Sequence, residues 1–175
     1  MTVSATAASR WFLILFLIYL VAGNVLMSFD AVNRWVIVPW TELNTACSAQ
    51  LASLLGLHAV SDGTLLKADT AVLHVEQGCN GFHALLIYAC AVLAFPVSWP
   101  SRITGVLTGS VVILGFNLIR LVNLLAIARY APRYLELFHI YVWQTLIIIV
   151  ALATFIGWET LIARGKEEAR RSAVG

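Results

Sequence analysis

The sequence predicts an all-α integral membrane protein with about four transmembrane helices, an amphipathic interfacial helix and a short extracytoplasmic hairpin. Three observations carry that expectation. The 175 residues are 61% hydrophobic and 11% charged, with a mean hydropathy of +0.88, far from the roughly 25% charged content of soluble domains. Apolar runs long enough to cross about 30 Å of hydrocarbon take up most of the chain. Between Ser61 and Val75 the apolar period shortens to that of strands. One transmembrane unit over 1–163 and a polar tail over 164–175 are expected, because the spans leave no room for a second domain.

The first span, about 11–29, follows Arg10 and is apolar all round apart from Gly23 and Asn24, as a lipid-facing helix is. Its run exceeds the roughly 7–15 residues of a signal-peptide core and no small-residue cleavage pattern follows, so it reads as a retained anchor. Residues 33–58 interleave Trp35, Ile37, Val38, Trp40 and Leu43 with Arg34, Thr41, Glu42, Asn44 and Gln50. That mixture is too polar for an easy span and fits a helix lying on the membrane surface, with Pro39 in its first turns and Gly56 near its end. A fifth span is the alternative.

Asp62-Gly63 supplies a turn, after which Thr64–Lys67 and Ala71–Val75 flank Ala68-Asp69-Thr70 as a hairpin. The second span runs from Cys79 or Gly81 to Val97 and is closed by Pro96 and Pro100. The third covers Ile103 to about Leu125, the fourth His139 to Ile162. Basic residues favour both termini inside: Arg10, Arg102, Arg164, Lys166, Arg170 and Arg171 fall on one side, against Arg34, Lys67, Arg129 and Arg133 on the other. Trp11, Trp99 and Trp158 then mark the inner interface, and Trp35, Trp40 and Trp143 the outer one.

This arrangement brings three chemically apt residues to one depth. Cys79 stands at the outer start of the second span, where a helix N-terminus favours the thiolate. Arg120 lies about 25 Å along the third span from Ile103, near the outer boundary, and a guanidinium inside a span is a functional hypothesis by default. Asn117 and Asn123 stand three residues to either side of it. His139 opens the fourth span from outside. For a base, His139 competes with His83, four residues after Cys79. Thiolate, histidine and fixed arginine suit acyl transfer: attack on a peptide carbonyl, proton transfer to the leaving amine, and charge stabilisation. On the inner half of the third span, Gly105-Val-Leu-Thr-Gly109 is a close-packing motif.

Other readings stay open on these residues. Cys79 is otherwise a small buried cysteine, or half of a redox pair with Cys47 in a thiol oxidoreductase. Arg120 and the asparagines are otherwise packing groups of a non-catalytic assembly or transport component. Cys47, Cys79 and Cys90 lack metal-type spacing; no metal or cofactor is expected. The net charge of +2, with no basic tract interleaved with aromatics, gives no sign of nucleic acid.

Gln77-Gly-Cys79-Asn80-Gly81, Asn117-Leu-Ile-Arg120 and Phe138-His139 resemble the cysteine, asparagine-arginine and histidine motifs of the exosortase/archaeosortase family, over about residues 33–160. The wording is most similar to the compact exosortase H branch. The resemblance implies a cysteine peptidase or transpeptidase at the outer face of a bacterial inner membrane. Its substrates would be exported proteins with a C-terminal signal of short motif, apolar span and basic tail, passed to water or to an acceptor that the sequence does not identify. Carried over, Cys79 is the nucleophile, Arg120 the site arginine and His139 the proton-transfer residue. Asn80, His83, Asn117 and Glu76 are expected to bind substrate or support the site.

Overall fold

The computed structural model describes residues 5–172. Its helix α1 (Ala5–Met27) leads through the short α2 (Asp30–Val32) and a π-helical turn, Asn33–Ile37, into α3 (Val38–Leu54). Pro39 has no N–H to donate back to the preceding turn, which favours the wider turn just ahead of it. Three strands follow, then α4 (Phe82–Ala94) and α5 (Trp99–Tyr130). A 3-10 turn at Pro132–Tyr134, the short α6 (Leu135–Leu137) and a second π turn at Phe138–Val142 lead into α7 (Trp143–Ser172). The first part of the expected polar tail therefore continues α7; residues 173–175 lie outside the described ones.

The all-α membrane class holds. Ser9–Met27, Trp99–Tyr130 and Pro132–Gly165 are each long and apolar enough to cross a membrane. The expected second span differs. It is a helix of 13 residues, about 20 Å long, because both its ends are diverted. At the start, Asn80 and Gly81 leave helical geometry, with Gly81 at φ +74°. At the end, Phe95 is extended (ψ 137°), as the residue before Pro96 favours.

Residues 33–54 do form a helix with a polar side; Arg34, Glu42 and Gln50 stay exposed, but most of its uncharged polar residues face the protein. Thr41, Asn44, Thr45 and Ser48 are buried, whereas Trp35, Leu43 and Leu54 are exposed. An element with lipid on one side and a polar site on the other would have this polarity.

The hairpin is one strand larger than expected. Val60–Asp62 (β1), Leu65–Ala68 (β2) and Ala71–His74 (β3) form an antiparallel sheet in sequence order. The Asp62-Gly63 turn therefore joins two strands, pairing Asp62 with Leu65. Leu66, Ala68, Ala71 and Val75 pack onto Ala52 of α3 and Leu121, Val122 and Leu125 of α5. Arg129 near the end of α5 pairs with Asp69 in the β2–β3 turn and donates to the Leu57 carbonyl at 3.2 Å. The sheet is thus fixed over the C-terminal ends of α3 and α5.

Beneath it, the Gly105/Gly109 motif works through aromatic side chains. A Cβ at Gly105 would collide with the Trp158 ring and one at Gly109 with Tyr88. Tyr88 lies flat enough on α5 to donate its hydroxyl to the Gly105 carbonyl at 2.9 Å. Small residues let α4 and α7 close on α5.

Candidate functional site

Gln77–Cys79 form a turn closed by the Cys79 N–H donating to the Glu76 carbonyl at 2.9 Å. The next residue, Asn80, is fully buried and holds the turn on three sides. Its Oδ1 accepts the Phe82 N–H at 2.9 Å, satisfying one of the free donors at the start of α4. Its Nδ2 donates to Thr41 Oγ1 at 2.8 Å, and its carbonyl accepts Trp40 Nε1 at 3.1 Å. Gln77 Nε2 adds a bond to Asn33 Oδ1 at 3.0 Å. The inward polar stripe of α3 and its π turn therefore immobilise the cysteine loop. Trp40, Thr41 and Asn33 were not singled out for this role in the sequence; the only signal was the run of polar residues in an otherwise apolar helix.

Cys79 Sγ lies 2.7 Å from His139 Nε2. Cys79 is buried and His139 half-buried, and the contact joins residues 60 positions apart. His139 is the second residue of the Phe138–Val142 π turn, a local widening common at functional sites. The turn is held by Trp143, the first residue of α7, which is buried. Its Nε1 donates to Asn123 Oδ1 at 2.9 Å and its ring lies 5.5 Å from Phe116. Phe116 and Asn123 stand four residues before and three after Arg120, so one indole spans the α5 face that carries the arginine. Asn123 thus bonds Trp143 across to α7.

Arg120 is 2% exposed, and its Nε has no hydrogen-bond partner. One turn earlier, Asn117 is completely buried with both Nδ2 and Oδ1 unpartnered. Its side chain lies against Gly81, where a Cβ would come within 3.0 Å of it. The cysteine loop needs glycine there both for its left-handed backbone and for this approach. Buried polar atoms are bonded in the great majority of cases, so three orphaned atoms on one turn of α5 mark a place where packing alone does not explain the residues.

The electrostatics of the thiol differ from the sequence expectation. Cys79 precedes α4 by three residues and is held in a turn. Burial raises its pKa above the ordinary thiol value; the Arg120 charge and a hydrogen bond from the Glu76 main chain pull it back, and the Glu76 carboxylate pushes it up. A protonated resting thiol needs a base to attack a carbonyl, and an imidazole at 2.7 Å is within transfer distance.

The remaining expected residues sit at the rim. Glu76 is exposed, its Oε1 3.7 Å from His74 Nδ1, and its charge reaches both Cys79 and His139. His83 is exposed, with Nδ1 3.3 Å from the Gln77 carbonyl. Cys47, Cys79 and Cys90 are all free thiols.

A family model described as "Transmembrane exosortase (Exosortase_EpsH)" matches residues 2–158. No curated protein and no solved structure matches the chain.

Proposed function

The chain belongs to the transmembrane exosortase family, and from that premise we propose that it is a cysteine peptidase or transpeptidase that cleaves C-terminal sorting signals of exported proteins. Cys79 is the nucleophile, His139 the general base and acid, and Arg120 the charge that holds the thiolate. The observation that carries this reading is the 2.7 Å contact between Cys79 Sγ and His139 Nε2, above an arginine buried in a helix that has no carboxylate to pair it.

His139 Nε2 takes the thiol proton as Sγ attacks the scissile carbonyl carbon, giving a tetrahedral adduct. The adduct collapses as the C–N bond breaks, and the imidazolium returns the proton to the leaving amine. The resulting thioester is resolved by water or by an acceptor nucleophile, which passes its proton to His139 and releases the thiol. Arg120 is too enclosed to meet substrate broadly; its guanidinium acts on the sulfur from below and stays charged in a dry site, where a lysine is prone to lose its proton.

Family membership supports a substrate class of this form: an extended motif, an apolar span entering the bilayer, and a basic tail beyond it. The site faces the periplasm of a bacterial inner membrane, and both termini are cytoplasmic. Basic residues near the two ends, Arg10 and Arg164, support that orientation.

The test is co-expression with proteins of the same genome that end in a shared short motif, an apolar span and a basic cluster. Wild type releases the signal; Cys79→Ala and His139→Ala do not, while both variants remain folded in the membrane. Cleavage that persists in Cys79→Ala overturns the proposal.

A further inference from the structure

The strand leading into Cys79 has one edge without a partner. In the sheet order β1-β2-β3, only β2 pairs with β3. The register sets Leu65 opposite His74 and Leu66 opposite Leu73, and Val75 donates its N–H to the Thr64 carbonyl at 2.9 Å. In an antiparallel pair, residues alternate between those bonded across the ladder and those whose backbone groups point away. Thr64 and Val75 form a bonded pair, so the backbone groups of Ala71, Leu73 and Val75 face β2. Those of Val72 and His74 face outward, and among the described residues no other backbone group bonds them on that side.

The same parity carries on to Glu76, whose carbonyl accepts the Cys79 N–H at 2.9 Å. The open edge therefore runs directly into the nucleophile. Beside it, where β3 leaves the sheet, lies a cavity of about 470 Å³. One wall is His74 to Gly78; the other is Asn33, Ile37, Val38 and Thr41 of the π turn and α3. On the face of β3 away from the core, Val72 is 57% exposed. An unpaired edge is a ready template for another strand, and bonding along such an edge gives sequence-tolerant affinity while flanking pockets give specificity.

We infer that the substrate's recognition motif binds as a fourth strand on the outer edge of β3, paired with Val72 and His74, with the scissile peptide delivered to Cys79 and a neighbouring side chain in the cavity beside Glu76. This rests on the peptidase reading. It adds the conformation in which the motif is read: extended, with alternate peptide groups bonded to the enzyme.

The test is a backbone scan in proteoliposomes of the full chain. The probe is a synthetic signal peptide that the wild type cleaves and Cys79→Ala does not. Single N-methyl groups, placed one at a time on the residues upstream of the cleaved bond, lower kcat/KM by roughly three- to tenfold at every second position and leave the intervening positions near the unmodified rate. Equal losses at consecutive positions, or none, overturn strand addition while the peptidase reading stands. If no signal is cleaved in a Cys79-dependent way, both fall. A second arm uses Val72→Pro, which removes an outward N–H and leaves the ladder to β2 intact. It raises KM for the peptide and leaves the rate of Cys79 alkylation by iodoacetamide unchanged; an unchanged KM also overturns the inference.

Discussion

Asn117→Leu separates what the third span needs for stability from what it needs for function. Asn117 is completely buried, and neither its Nδ2 nor its Oδ1 has a partner. A buried polar group left unbonded costs about 1–3 kcal/mol, so two on one side chain cost about 2–6 kcal/mol. Leucine has nearly the same shape and carries no such groups. It recovers part of that, about 1–3 kcal/mol, the cost of a single unbonded buried group. The branch has room, since Gly81 opposite has no Cβ. At a few degrees per kcal/mol for a chain of this size, melting followed by the six tryptophans in one detergent rises by roughly 2–12 °C. Cleavage of a sorting signal falls at least tenfold, because a residue kept at a cost to stability against the Cys79 loop is kept for the proposed reaction. A variant less stable than wild type by more than about 1 kcal/mol shows that the amide is bonded, and refutes the reasoning; so does a variant that is more stable and fully active.

Two further outcomes follow from the same geometry. The alkylation rate of Cys79 by iodoacetamide rises with pH through a midpoint above the ordinary thiol value of about 8.5, because burial disfavours the thiolate. In Arg120→Met the midpoint moves higher still, since the lost positive charge had favoured the anion; a downward shift refutes the assignment. Trp143→Phe keeps the ring against Phe116 and loses only the 2.9 Å bond to Asn123. It costs about 0.5–1.5 kcal/mol of stability and lowers kcat three- to tenfold with KM unchanged. A change in KM alone would show that the indole acts on peptide binding and not on His139.

Much of the site was legible because membrane helices make depth countable. Residue counts and the sign of the loops led to the expectation of Cys79, Arg120 and His139 at one level without knowing how the helices pack, and the structure joins Cys79 to His139. Which histidine meets the thiol was not legible. The spacing from Cys79 to His83 suits one helical face only if the helix already includes Cys79. Here α4 begins at Phe82, after the Asn80 turn and the left-handed Gly81, and His83 turns toward the Gln77 carbonyl instead. Likewise, residues 33–58 read as a helix on the membrane surface; bonds from Asn80 to Thr41 and from Trp40 to Asn80 tie its uncharged polar side to the cysteine loop.

The sequence by itself determined the membrane class and the order of the long helices, and set the expected depth of Cys79, Arg120 and His139, since these depend on hydropathy, length and charge along one dimension. The tertiary structure decided the contact of Cys79 with His139, the isolation of Arg120 and Asn117, and the open edge of β3. Each is set by where helix ends, π turns and glycine contacts bring distant segments together, and those positions depend on packing between elements.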